Sequence, residues 1–300
     1  MKARELTRAF VVGLVICLST SITEAQKLKV FISVDMEGIT GVVHTDQTSV
    51  TGSDYSRARK WMTEDVNAAI LGALDAGATE IIVNDSHGSM RNILLSDLHP
   101  AASLISGSPK PLLQMDGIDS SVDAVMFIGY HPRAGTMNGI LDHTISGGIV
   151  RSIVINGMEM PEVGINALIA GHFNVPVVLV AGDKGVCDQT KEILGNSVVT
   201  VAVKEAIGRY AAMNLSLEKA HQLIRQQAKI ALEKRKQIQP FKLMAPYRIE
   251  LTYHTSSMAD NGSAVPGAKR LSPRTVQIES NDMITGFRLL MLLITLGRET

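Results

Sequence analysis

The chain has 300 residues, of which 45% are hydrophobic and 19% charged, and its 29 basic side chains balance 29 acidic ones. This composition supports a folded core and excludes wholesale disorder, and the lack of a basic excess argues against nucleic acid or anionic membranes as partners. Because Cys17 and Cys187 are the two cysteines, the sequence excludes a disulfide-stapled scaffold and a cysteine-type zinc finger.

The first 25 residues have the three regions of a secretory signal peptide. Basic side chains near the start precede an apolar stretch over 9–18, and small residues stand at positions −3 and −1 before Gln26. The apolar stretch is shorter than the roughly 20 residues that span a bilayer, although a retained short anchor is the alternative. We therefore expect an exported protein, periplasmic or secreted, with no stable membrane insertion after cleavage.

Apolar runs alternate with helical patterns from residue 28 to about residue 205. This alternation predicts an α/β domain with a mostly parallel sheet flanked by helices. An Asn-Gly pair at 156–157 also predicts a β-hairpin. The predicted strands are 27–35, 79–84, 124–129, 149–155, 158–160 and 175–182, and the predicted helices are 56–76, 165–172 and 188–194.

The pattern changes after residue 210, and 211–300 is predicted to be a smaller α+β portion. Ser216 is placed to cap a long helix to about residue 236, and a very apolar last helix begins at Asp282. Strands are predicted at 247–253 and 274–279, on either side of a Gly/Pro/Ser-rich loop. The predicted division is therefore a signal peptide (1–25), a catalytic α/β domain (26–210) and a C-terminal portion (211–300).

Carboxylate and imidazole side chains follow three of the predicted strands. Asp35 and Glu37 come after the first strand, His87 after the second and His131 after the third. The carboxyl ends of neighbouring parallel strands meet in one crevice, so these four side chains are expected to lie close together. Each alone could be a turn residue or a hydrogen-bonded core histidine, but their recurrence at three strand ends favours a metal site.

The ligand types limit which metal ions the site would prefer. Aspartate, glutamate and histidine form an oxygen and nitrogen set that suits Zn²⁺, and also Mn²⁺, Fe²⁺ or Ni²⁺. Glu162 is a weaker candidate from the sequence alone, because it lies at a predicted helix start, where the helix dipole already favours a carboxylate.

Several motifs resemble those of the DppA-type D-aminopeptidases. They include SVDMEG at 33–38, VNDSHG at 83–88, GYH at 129–131 and EVGINALIA at 162–170, and the resemblance covers essentially the whole mature chain. It implies a zinc metalloprotease with two metal ions per subunit, assembled as a ring-like homo-oligomer.

The resemblance also implies a role for each site residue. Asp35 would bridge the two metals, with Glu37 and His87 completing one ligand shell and His131 and Glu162 the other. His143 matches a further active-site histidine and would be catalytic, as general base or as transition-state stabiliser. The other candidate histidines, His44, His99 and His172, are interpreted as loop, turn and helix-end residues, and Asp85 as either a partner of a ligand histidine or a turn residue.

The expected activity is that of a dinuclear zinc aminopeptidase. Its substrates would be short peptides or amino-acid amides with an N-terminal D-amino acid, a preference that rests on the resemblance. Two alternatives remain open at this point: a non-catalytic periplasmic dipeptide-binding protein, and a metal-dependent amidase or esterase acting on another amine substrate.

Overall fold

A computed structural model describes residues 27–298, so the predicted signal peptide lies outside the described residues. Twelve strands are present in this part of the chain: β1 (Lys29–Val34), β2 (Glu80–Asp85), β3 (Ala102–Ile105), β4 (Ala124–Tyr130), β5 (Val150–Ile155), β6 (Met158–Glu159), β7 (Val177–Asp183), β8 (Val199–Gly208), β9 (Ala211–Asn214), β10 (Tyr247–Tyr253), β11 (Lys269–Arg270) and β12 (Thr275–Ser280).

Seven α-helices accompany these strands within residues 27–298: α1 (Thr45–Thr48), α2 (Tyr55–Asp75), α3 (Glu162–His172), α4 (Lys184–Leu194), α5 (Leu217–Glu233), α6 (Ser256–Gly262) and α7 (Met283–Leu296). Helices α2 and α5 pack against each other, and α3 contacts α4 and α7. No helix in this range is both long enough and apolar enough to cross a membrane.

The larger sheet, sheet A, has the strand order β3-β2-β1-β4-β7-β8-β9. All its pairs are parallel except β8 with β9. Every residue of β4 and β7 is buried, as expected for central strands covered on both faces. The predicted α/β class with a mostly parallel sheet flanked by helices is thus confirmed.

The smaller sheet, sheet B, is antiparallel and has the order β11-β12-β10-β5-β6. The predicted hairpin is present as β5 and β6, with Asn156 and Gly157 at φ of 50° and 84° in the turn. It pairs with β10, so each sheet contains strands from both sides of residue 210. The predicted division of the chain at that residue stays a prediction.

Some element boundaries differ from the predictions. Helix α3 begins at Glu162 rather than residue 165, and α4 begins at Lys184 because the Asp183 side chain caps it by accepting from Val186 N. Strands β3, β8 and β9 were not predicted. The stretch between β10 and β12, predicted to be a loop, contains the helix α6 and the short strand β11. Helix α6 forms there because the Thr255 side chain caps its start.

The register of sheet A brings three strand ends together. Val34 at the end of β1 pairs with Asp85 of β2 on one side and with Ile128 of β4 on the other. The residues that follow these three strands therefore leave the sheet at one edge, as the sequence predicts.

Candidate metal centre

Two glycines let the ends of β1 and β4 touch. Gly38 N donates to Gly129 O at 2.7 Å, and a Cβ on Gly38 would lie 1.9 Å from Tyr130 O. Gly129 has a φ of 73°, and a Cβ there would lie 2.2 Å from Asp35 O. A larger residue at either position would push Asp35 away from His131, the residue after β4.

The five predicted ligands lie together, with Asp35 in the middle. Its Oδ1 is 3.4 Å from His87 Nδ1 and its Oδ2 is 3.6 Å from His131 Nε2. Glu37 Oε2 lies 3.1 Å from His87 Nδ1 on the first side, and Glu162 Oε1 lies 3.4 Å from His131 Nε2 on the second. Each oxygen of Asp35 therefore faces its own imidazole and carboxylate pair.

Backbone carbonyls orient the histidines of the centre. Three ring nitrogens point at such carbonyls: His87 Nε2 at Thr48 O (2.8 Å), His131 Nδ1 at Pro132 O (3.0 Å) and His143 Nδ1 at Leu141 O (2.9 Å). A ring N–H that donates to a carbonyl leaves the other nitrogen free to present its lone pair to the centre. His131 Nε2 is buried there with no hydrogen-bond partner among the described residues, as a metal-binding nitrogen would be.

Three buried carboxylates concentrate negative charge at the centre. Asp35, Glu37 and Glu162 are 3%, 5% and 2% exposed. Burial and the nearby Glu37 raise the pKa of Asp35 to about 7. Burial also disfavours the charged forms of Glu162 and His131, but their mutual attraction outweighs it and brings their pKa values to about 2 and about 10. Buried anions of this density need cationic partners, and a divalent metal is one.

His143 lies at the edge of this cluster. Its ring stacks on that of His131 with centroids 4.2 Å apart, and its Nε2 is 3.8 Å from Glu162 Oε1. Burial and the neighbouring His131 lower the pKa of His143. The ligand atoms of His143, His131 and Glu162 lie within 4.8 Å of one another, as do those of Asp35, Glu37 and His131. Position alone therefore allows His143 to be a catalyst or a ligand.

A polar network that the sequence did not reveal holds Glu162. Its Oε1 accepts from Ile145 N at 2.6 Å, and its Oε2 accepts from Gln114 Nε2. Asn166 Nδ2 in turn donates to Gln114 Oε1 at 2.7 Å and to Tyr130 Oη at 3.0 Å. Of these network residues, only Asn166 could be predicted from the sequence to lie near Glu162, because it follows Glu162 by four residues on the same helix face.

Lys204 of β8 is a second residue that the sequence did not reveal. It is 2% exposed, and its Nζ donates to the carbonyl oxygens of Glu37, Ile39 and Val42 at 2.6, 2.8 and 2.5 Å. Burial lowers the pKa of this ammonium to about 7. Lys204 thus fixes the loop that carries Glu37. Because Glu205 follows it directly, Lys204 looks like an ordinary surface residue in the sequence.

The remaining candidates lie outside the centre. Asp85 ends β2, and its carboxylate accepts from the backbone amides of Asn92 and Ile93 rather than from a histidine ring, so it holds the loop that follows the strand. His44 caps α1 and His172 ends α3. His99 lies in the loop before β3, where its ring accepts from Ala101 N.

Comparison with known proteins gives concordant matches. Residues 28–292 match the profile of a family described as D-aminopeptidase. A D-aminopeptidase of Bacillus subtilis is 36% identical over 278 residues, which cover 91% of this chain and 99% of the relative. A solved structure, the Zn-dependent D-aminopeptidase DppA from Bacillus subtilis, a self-compartmentalizing protease, superimposes with a TM-score of 0.88 at 34% identity, covering 91% of this chain and 99% of that one.

Proposed function

The chain belongs to the D-aminopeptidase family, and on this premise we propose that it is a zinc metallo-aminopeptidase that hydrolyses short peptides or amino-acid amides with an N-terminal D-amino acid. The observation that carries the proposal is the placement of Asp35 between two imidazole and carboxylate pairs. A binding protein that lacks catalysis would not need such a cluster of buried ligands next to a further histidine.

The proposed centre holds two zinc ions per subunit. Asp35, Glu37 and His87 would bind one ion, and Asp35, His131 and Glu162 the other. The unpartnered Nε2 of His131 and the mixed oxygen and nitrogen donors support this assignment, since both suit zinc. Backbone carbonyls behind the histidines and Gln114 behind Glu162 supply the outer contacts that metal ligands in proteins usually have.

The residues of the centre have separate tasks in hydrolysis. Zinc bound by these residues would supply Lewis acidity at the scissile carbonyl and at the attacking water. The three carboxylates and two histidines would hold the ions in place, with Asp35 between the two sets. His143 presents a nitrogen whose lone pair can accept a proton, because its other nitrogen donates to Leu141 O.

Chelation is expected to abolish the release of D-alanine from D-alanine amide, and added zinc is expected to restore it. The physical reason is that the side chains alone offer no comparable Lewis acid at the scissile carbonyl. The measurement is turnover of matched D- and L-alanine amides and dipeptides before chelation, after it and after zinc addition. Full turnover by the metal-free protein, or binding of dipeptides without turnover, would contradict the proposal.

We also propose that the protein assembles into a homo-oligomer, which the self-compartmentalizing relative supports. Strand β9 is an edge of sheet A, and the apolar residues Ile207, Tyr210 and Met213 at β8 and β9 are exposed. Exposed apolar side chains along a sheet edge are typical of association surfaces.

Light scattering at micromolar concentration is expected to give a multimeric mass. Met213→Lys is expected to lower this mass, because it places a charge on the proposed contact. Met244→Lys, at another exposed methionine, is the matched control and should not change it. A monomeric and fully active wild-type protein would refute the assembly.

Export is a further proposal, supported by the order of basic, apolar and small residues in 1–25 and by a family match that begins at residue 28. The protein purified from its native compartment is expected to begin at or near Gln26. N-terminal sequencing or intact-mass measurement tests this, and finding Met1 still attached would argue for a retained segment.

A further inference from the structure

A cavity of about 270 Å³ lies directly beside the metal centre. Gln114 and Ile145, the two residues that hold Glu162 by hydrogen bonds, also line this cavity. Both chain neighbours of His87 line it as well. The cavity therefore adjoins the centre through the neighbours of His87 and Glu162, while none of the five predicted ligands lines it.

Helix α7 forms the apolar wall of the cavity. Phe287, Met291 and Ile294 line it from the helix, and Met90 and Leu113 line it from the loops after β2 and β3. An apolar cavity of about 150 Å³ is large enough to bind benzene. The cavity here is larger, and it is apolar on the α7 side and polar where Ser86, Ser146 and Thr295 line it. Its apolar side accommodates a side chain of the size of phenylalanine or leucine, and a lone alanine methyl would leave most of it unfilled.

A cation lines the same cavity. Arg298 stands two residues after the end of α7, is exposed and lines the cavity. Its guanidinium makes this end of the cavity positive, which attracts a carboxylate and repels an α-ammonium.

A dipeptide places a carboxylate where this cation can use it. Its ammonium precedes the scissile bond, and its free carboxylate follows one residue later, a reach of about 3.3–3.6 Å per residue. A longer peptide or an amide has no carboxylate at that point.

We propose that this cavity, the second-residue cavity, binds the residue on the carboxyl side of the scissile bond. It selects dipeptides with a large apolar second residue, whose side chain packs on α7 and whose free carboxylate meets Arg298. The inference rests on the proposed aminopeptidase function and names the substrate class within it.

The apolar wall is tested with Met291→Trp, which fills the cavity. The readout is the ratio of kcat/KM for D-Ala-D-Phe to kcat/KM for D-alanine amide, which has no second residue. This ratio is expected to fall about tenfold or more, since a blocked apolar subsite loses differential binding. Leu292→Trp is the matched control, because Leu292 is the next residue of α7, is exposed and does not line the cavity.

The cation is tested with Arg298→Gln, using D-Ala-D-Phe and its carboxamide. The variant is expected to raise KM for the free acid about tenfold and to leave the carboxamide within about twofold, because only the acid forms an ion pair with the guanidinium. Arg288→Gln, at an exposed arginine of α7 outside the cavity, should keep the wild-type preference for the acid.

The outcomes separate this inference from the proposed function. If the wild-type protein does not hydrolyse D-alanine amide, the proposed function fails. If it does, but the cavity and control variants show the same substrate ratios, the second-residue cavity is wrong. A Met291→Trp variant that changes selection among first residues instead would place the cavity on the amino side of the scissile bond and overturn the inference.

Discussion

Replacing Asp35 with alanine is expected to remove metal from both sites and to lower turnover of D-alanine amide about 10³-fold or more. Each oxygen of this carboxylate faces a different histidine, so its loss opens both ligand sets together. The rate estimate follows because a metal ion stabilises transition-state charge by several kcal/mol, and about 1.4 kcal/mol corresponds to a tenfold change. Metal content of the purified variant, measured beside its activity, is the test.

Two further variants separate loss of metal from loss of fold. Asp35→Asn keeps the side-chain volume and an oxygen that can accept from Met36 N, so it should fold like the wild type and still bind less metal. Asp54→Ala removes a partly exposed aspartate outside the centre, which pairs with Arg57 and makes no side-chain cap bond to α2, and it should keep both metals. If Asp35→Ala retained two metals and near-normal activity, the site would have to be placed elsewhere.

The part of the centre that the sequence predicted is the part that regular strands carry. Asp35, Glu37, His87 and His131 follow strands whose apolar runs are plain in the sequence. In a parallel sheet, the order of neighbouring strands is sufficient to gather their carboxyl ends. No further knowledge of the tertiary structure is needed to expect these four side chains at one edge.

The remaining features depend on contacts between distant segments. His143 lies between β4 and β5 in a stretch with no regular strand or helix, so its path is set by packing, and only the family resemblance singled it out. Sheet B joins β5 to β10, two strands far apart in the chain, and no local pattern indicates that pairing. Gln114 carried no signal because a polar residue in a short turn is ordinary until Glu162 is placed beside it.

The position of His143 predicts that its loss, unlike that of Asp35, leaves the metal content unchanged. His143→Ala is expected to keep both metals and to lose about 10²–10⁴-fold in turnover, the usual contribution of a proton-transfer residue. The reason is that its Nε2 lies farther from Glu162 than that of His131, while its ring is held by Leu141 O with the lone pair directed to the centre.

His99→Ala is the matched control for this variant, since His99 lies in a loop away from the centre and its removal should change neither metal content nor rate. Metal analysis and turnover of D-alanine amide are measured on both proteins. If His143→Ala lost metal in proportion to activity, His143 would join His131 and Glu162 as a ligand, a grouping that the distances also permit. If the metal is retained while turnover falls, His143 is needed for the reaction and not for binding the ions. Metal binding and proton transfer then belong to different side chains, although the rings of His143 and His131 are stacked.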